Sequence, residues 1–313
     1  MILRQLIAVL LLGLGSSLAA VAASPEELWA NGRADDVLRL LSNADTAEAH
    51  NLLCRVNYAL ENWDEAVKHG ERAVKLKPDA AQYHLWLGRS YGGKADHAGA
   101  MSAFGLARKT VASFERALQL DPKDVRARRD LAEYYATAPS IVGGGKDKAR
   151  RLADEIASSD PVNAAFIRGM TASRDKNPAE AEKQFKLAVQ ASENSAEAPL
   201  NLADFYRGQK RWNDFDATIA DAVKAKTKRP DDLFDLGEML VASKRNLKLA
   251  ADTLQQYLAG AKDEYGPAFR AHYLLGQALA MMGDKAGADK EYEASLALAS
   301  GYRLAQQALK GQR

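Results

Sequence analysis

From about residue 47 onward, apolar and small side chains recur every three to four positions, the period of an α-helix, as in Tyr83, Trp86, Leu87 and Tyr91. The helical stretches themselves recur. Leu53, Leu87, Leu131, Arg168, Leu202, Leu236 and Leu275 stand 34, 44, 37, 34, 34 and 39 residues apart. Each is followed by a small residue: Cys54, Gly88, Ala132, Gly169, Ala203, Gly237 and Gly276. In units of regular length a second small or apolar residue lies 13 on, at Ala66, Ala181, Phe215 and Ala288. Another lies 20 on, at Ala73, Ala188, Ala222 and Ser295. The spacing predicts a hairpin of two helices per unit, the small residue beside the Leu slot letting the second helix come close. Pro78, Pro122 and Pro161 are expected to close three of the units, because proline cannot continue a helix. One such hairpin cannot bury its own apolar face, so neighbours must stack.

These residues resemble tetratricopeptide repeats, whose 34-residue motif couples Leu-Gly, a following Tyr, then Ala, an aromatic, Ala and Pro. Tyr83-His-Leu-Trp-Leu87-Gly88-Arg-Ser-Tyr91 and His272-Tyr-Leu-Leu275-Gly276, with Ala288 and Tyr292, carry the resemblance; Arg168 and Phe215 depart from it. It implies an all-α, right-handed superhelical solenoid of about seven helix-turn-helix units over residues 47–302. A partial hairpin over 24–46 precedes the array, and a capping helix over 303–313 turns Arg303, Lys310 and Arg313 to solvent. At about 8–10 Å per stacked unit the array would extend roughly 60–70 Å. Two units depart from the period. About ten extra residues lie near 94–105, after Gly92-Gly93, and the segment 139–146 lengthens a turn. Insertions of this kind are expected as loops on one face, either neutral or part of a binding site.

The first 23 residues stand apart. Arg4, the apolar run Leu6 to Leu14 and the small residues of Leu18-Ala-Ala-Val-Ala-Ala23 read as a secretory signal, cleaved near Ala22 or Ala23. An uncleaved anchor is the alternative, but Gly13, Gly15, Ser16 and Ser17 dilute the run below about 20 apolar residues. The expected location is therefore periplasmic or secreted, with membrane contact only through the signal before cleavage. Among 313 residues, 43 basic side chains against 41 acidic ones leave no basic excess to hold nucleic acid, and one Cys excludes an internal disulfide or a Cys-rich zinc module.

Candidate chemistry is sparse. Gly143-Gly-Gly145-Lys146 invites a phosphate-loop reading, but Asp147 stands where Ser or Thr should hold magnesium, and no strand precedes it. His50, His84 and His272 all lie three residues before the Leu slot, where rings fill the seam between helices. No His pair is spaced as metal ligands on one helix. Cys54, in a small slot, reads as an inert buried thiol. The sequence thus implies no catalytic residue, metal or cofactor, and no enzyme.

What remains is a surface. In the tetratricopeptide family, positions five and two before and two and five after the Leu slot line the concave groove, and they share one helical face. Here those positions bring forward Asn51, Arg55, Arg89, Arg126, Arg129, Asn163, Phe166, Met170 and Arg207 as a candidate partner-binding groove. Its front half is Arg-rich, and its rear half, through Asp204, Asp231 and Glu238, more acidic. Arginine suits bidentate capture of carboxylates, and Phe and Met suit an apolar anchor. The subtype that clamps the terminal carboxylate of cytosolic chaperones does not fit, since Asn51, Arg55, Trp86 and Asp130 stand at its key offsets. The resulting expectation is a non-catalytic periplasmic scaffold that binds a peptide or protein, in cell-envelope assembly. The alternatives are a structural subunit or homo-oligomer using the insertion or the terminal helix, and an envelope hydrolase with the Gly143 loop at its site.

Overall fold

The structure, a computed structural model, describes residues 23–193, 195–225, 230–260 and 265–312. Residues 1–22 of the signal proposed over 1–23, and the terminal Arg313 of the proposed cap, lie outside the described residues. Seventeen α-helices and one short 3-10 turn make up the described chain, which contains no strand. Helices α1 (Pro25–Ala30) and α2 (Ala34–Leu40) form the opening hairpin. Seven longer hairpins follow: α3 (Ala47–Ala59) with α4 (Trp63–Leu76), α5 (Ala81–Asp96) with α6 (Ala100–Leu120), and α7 (Val125–Thr137) with α8 (Lys146–Ile156). Next come α9 (Pro161–Arg174) with α10 (Pro178–Ala191), α11 (Glu197–Gly208) with α12 (Trp212–Lys224), and α13 (Asp231–Ser243) with α14 (Leu247–Ala259). The last pair is α15 (Ala268–Met281) with α16 (Lys285–Leu298), and α17 (Arg303–Gln312) follows it. The whole is a helical-repeat superhelix.

The small slot works as close approach. A Cβ on Gly88 would sit 2.6 Å from the Phe114 ring, on Gly237 2.6 Å from Leu254, and on Gly276 2.5 Å from Tyr292. The first hairpin exchanges the roles, with Cys54 on α3 facing Gly70 on α4. The residues 13 and 20 beyond the slot are fully buried, Ala66, Ala181, Phe215, Ala288, Ala73 and Ser295 all at 0%. In the five regular hairpins the turn passes through a left-handed residue eight after the slot: Glu61, Lys176, Lys210, Lys244 and Gly283. Pro161 differs from expectation. It is the first residue of α9, under an Asp160 cap, and opens that unit rather than closing the one before. Proline fits there because the first helical N–H has no intrahelical partner to lose.

Both expanded units differ from simple loops. The extra residues near 94–105 continue α5 to Asp96 and lengthen α6 to 21 residues, so most of that insertion is helix. Gly93 does not break α5. Its missing Cβ makes room for the Trp63 ring, 2.5 Å from where that atom would be. In the other unit the chain runs through the turn Ser140–Val142 and Gly143 (φ 96°) before α8.

The array does not extend as a free-ended rod of 60–70 Å, because its two ends meet. Trp29 of α1 lies 6.5 Å from Phe269 of α15, centroid to centroid. The Ser300 amide donates to the Asp35 carboxylate at 2.8 Å. Gly32, in a left-handed turn (φ 70°), lies so close to α15 that a Cβ would sit 2.6 Å from the Ala268 amide nitrogen. Trp29, Val37, Leu52, Phe269, Tyr302 and Ala305 share one buried cluster. A terminal hairpin left in water would turn a polar face outward. Here the opening hairpin and the last unit both carry apolar faces, and burying them against each other removes that area from water.

Candidate functional site, the concave face

The first helices of successive hairpins bring their concave residues together, and charges from units one or two apart along the array meet there. Arg89 donates through Nε to Asp130 at 2.5 Å, and its guanidinium lies 4.7 Å from the Trp86 ring centroid. Arg129 of α7 pairs with Glu197 of α11, two units on, and rests 4.4 Å from the Phe166 ring centroid. Arg270 of α15 pairs with Glu238 of α13 at 2.8 Å. One of these pairs, Arg129 with Glu197, joins the Arg-rich front to the acidic rear; the other two are made within each half.

Tyr265, just before α15, reaches into the front half. Its ring stacks on Trp86 at 5.4 Å between centroids, with Arg89 5.0 Å and Arg126 3.8 Å from its centre. Arg55 lies at the edge of the same group, 5.8 Å from the Trp86 centroid. The nine residues brought forward from the sequence thus divide. Arg55, Arg89, Arg126 and Arg129 gather around Trp86, Tyr265 and Phe166. Asn51 is buried, and Asn163 hydrogen-bonds through Nδ2 to its own helix cap, Asp160, at 2.8 Å. Phe166 and Met170 pack against the core, and Arg207 donates to Asp204 at 2.9 Å on the same helix.

Two cavities open on this face. The rear one, about 540 Å³, is lined by Arg129, Glu197, Asn201, Asp204, Arg207, Asp235, Glu238 and Met239. The front one, about 570 Å³, lies between α3, α5, α6 and α7, and both expanded turns contribute to its wall. Asp130, Asn201 and Asp235 each stand one residue before the Leu slot, a position the offset rule does not include. Glu197 stands five before, and that offset in its unit was the available signal.

The remaining candidates have structural partners. In the Gly143 loop the amides of Gly143, Gly144 and Gly145 donate to Ser140, Pro139 and Tyr135 carbonyls, and Lys146 bonds Asp175 at 2.6 Å. A Cβ on Gly144 would overlap the Ala138 carbonyl. This backbone is spent on the turn and presents none of those amides to an anion. Cys54 is fully buried beside Ser90 (3.3 Å), and burial pushes its thiol up to about 12. His50 shares a hydrogen bond with His69 across the first hairpin at 2.8 Å, and His272 bonds Glu291 at 2.6 Å at the same separation of 19 residues. Among the described residues no group of three or more His, Cys, Asp or Glu is arranged to hold a metal, and no helix is long and apolar enough to cross a membrane.

The tetratricopeptide repeat family matches residues 47–80. No curated protein matches the chain. Among solved structures, a thermophilic tetratricopeptide-repeat protein of Thermus thermophilus is similar at 18% identity, over 69% of this chain and 95% of its own, with a TM-score of 0.43. A tetratricopeptide repeat protein of Parabacteroides merdae is similar at 12% identity, over 90% of this chain and 98% of its own, with a TM-score of 0.41. The anaphase-promoting-complex hetero-tetramer Cut9–Hcn1 is similar at 16% identity over 92% of this chain, with a TM-score of 0.41; the chain spans 54% of that protein's length.

Proposed function

We propose that this tetratricopeptide-repeat chain is a non-catalytic scaffold of the periplasm or the secreted space, binding a peptide or protein on its concave face during cell-envelope assembly. The repeat fold supports a protein-interaction scaffold in general. The observation that carries the site is the rear cavity, where Arg207, Asp204, Asp235 and Asn201 present charge and hydrogen-bonding groups around Met239 and Leu200. Among the described residues Arg207 and Asp204 pair only with each other, along one helix, an exposed pair that holds its geometry weakly and releases it at little cost. Export is supported by the apolar run and small residues of 1–23. Capture of partners from envelope extract by the purified protein and by Arg207→Glu tests the site; identical recovery by both sinks it. N-terminal sequencing of the exported protein, with Ala23 or Ser24 expected first, tests the signal.

One observation favours a second reading, a subunit that self-associates through its insertion. Met101 is 93% exposed and Ile141 73%. Light scattering separates the two, because a monodisperse monomer removes self-association.

A further inference from the structure

The last spacing of the repeat, 39 residues from Leu236 to Leu275, exceeds the regular 34, and its extra residues fall between two units. Eight residues separate α14 from α15, where four to six separate each of the seven hairpins from the next elsewhere. The longer connection delivers a ring to the concave face. Tyr265 lies over Trp86 at 5.4 Å, with 23° between the ring planes, and the guanidinium groups of Arg89 and Arg126 stand 5.0 and 3.8 Å from its centre. The backbone beside it is pinned. The Tyr257 hydroxyl donates to the Gly266 carbonyl at 2.5 Å, and a Cβ on Gly266 would sit 2.6 Å from the Phe234 ring. Tyr265 itself is half-buried, so its ring has room to turn outward about its own side-chain bonds while Gly266 stays in place.

We propose that Tyr265 is the built-in occupant of a recognition slot, and that an aromatic side chain of a partner segment, preceded by acidic residues, displaces it from Trp86. The present occupant displays the chemistry that the slot takes. A flat ring lies against an indole and beside guanidinium groups, which attract the face of a ring and bind a carboxylate next to it. The chain's own sequence at this point, Asp263-Glu264-Tyr265, belongs to that class. A cationic segment would meet the like charge of Arg55, Arg89 and Arg126, and an aliphatic one would give up the stacking. The slot also adjoins the rear cavity. Arg126, against Tyr265, and Arg129, in the wall of that cavity, are three residues apart on one face of α7. A segment seated in the rear cavity therefore reaches the slot across a single helical turn. Two contacts made together offset the advantage of the tethered ring, which lies in its high effective concentration. This inference rests on the scaffold reading and names the chemistry of its partner.

The test uses the purified protein and three labelled, capped peptides followed by fluorescence anisotropy: Lys-Asp-Glu-Tyr-Gly, Lys-Asp-Glu-Ala-Gly and Lys-Gln-Gln-Tyr-Gly. Tyr265→Ala is expected to bind the first peptide at least about tenfold more tightly than the wild-type protein does, because the tethered competitor is gone. Tyr265→Phe, which keeps the ring, is expected to bind it as the wild type does. The second and third peptides should bind Tyr265→Ala at least about fivefold more weakly than the first, one lacking the ring and the other the carboxylates. Equal binding of the first peptide by Tyr265→Ala and the wild type overturns the proposal. So does weaker binding by Tyr265→Ala at a lowered melting temperature, the mark of a strut rather than an occupant. Where Tyr265→Ala does not fold, the wild-type protein decides at about millimolar peptide. A preference for the first peptide over the second that Arg126→Gln removes upholds the slot; no preference, or one that Arg126→Gln leaves, overturns it. Failure of the peptides while envelope capture still depends on Arg207 overturns the slot alone and leaves the scaffold reading with the rear cavity as its site.

Discussion

The rear and front hairpins reverse the chain in different ways. From α9 to α14 each turn passes through a left-handed lysine, at 176, 210 and 244, spaced by 34 residues. The second helices are tied to the next turn by ion pairs 29 residues apart, Glu182 with Arg211 and Asp216 with Arg245. Hydrogen bonds from Arg211 and Lys186 hold the Glu182 carboxyl down to about 2. The front units α5–α6 and α7–α8 have no such residue. Ala95 continues a helix and Pro139 leads into a 3-10 turn where the left-handed position would fall. The regular half ties each unit to the next through these ion pairs, whereas the expanded half gives up the tight turn and lets both expanded turns wall the front cavity. The difference teaches that period and shape are separable in one array: regular spacing marks the spine, and departures from it reshape the concave face.

The largest way to break this contrast is to remove one aromatic ring from each half. Phe215→Ala in the rear, at 0% exposure, is expected to cost about 3–5 kcal/mol. Phe104→Ala in the front insertion, 41% exposed, should cost under about 0.5 kcal/mol, both read by urea unfolding. Similar costs would mean that the insertion is core. Next in size are the glycines. Gly276→Ala forces a Cβ against Tyr292 and should cost about 1–3 kcal/mol. Gly105→Ala, with nothing within 4 Å inside a long helix, should stabilise by about 0.5–1 kcal/mol. Smaller again, Lys210→Gly relieves a left-handed turn and should raise stability by about 0.5–1 kcal/mol, measured by calorimetry. The smallest effect concerns pH. Burial, then the adjacent His50, hold the His69 imidazole below its ordinary value in the fold. The unfolded chain then binds the proton first, so stability from His69 is complete above about pH 6.5 and declines as the pH falls through that value. The last hairpin places Glu291 where the first has His69, so local amide exchange should loosen at α3–α4 before α15–α16 on acidification. The opposite order would remove the imidazole pair as the cause.

Much of the fold was legible because its determinants are local. Leu87 with Gly88, or Leu275 with Gly276, specifies a close helix pair within one unit, and the contact lies on the second helix of that unit. The ring closure was not, since Trp29 and Phe269 are 240 residues apart and nothing in the repeat period couples them. Gly32 held the one signal, a glycine flexible enough for a left-handed turn and small enough to lie against Ala268. The groove was half legible. Offsets placed Arg89, Arg126 and Arg129 on the concave face, but their partners Asp130, Tyr265 and Glu197 come from positions outside the rule or from another unit. The insertion after Gly92-Gly93, expected as a loop, is mostly helix, and the missing side chain of Gly93 makes room for Trp63 inside α5.

The meeting of α1 with α15 also changes what kind of object the array is when it unfolds. An open solenoid is a line of nearest-neighbour couplings, and its end units, with one neighbour each, peel away first. Joined at Trp29 and Phe269, the line becomes a cycle in which every hairpin, the opening one included, has a neighbour on both sides. Loss of any single unit then creates two broken interfaces instead of one, and melting becomes sharper. Because the opening hairpin and the last unit lie side by side, the cycle has no privileged starting point. A permuted protein, with residues 24 and 312 joined by a linker and new ends opened at Gly99, would rebuild the same circle from a different first residue.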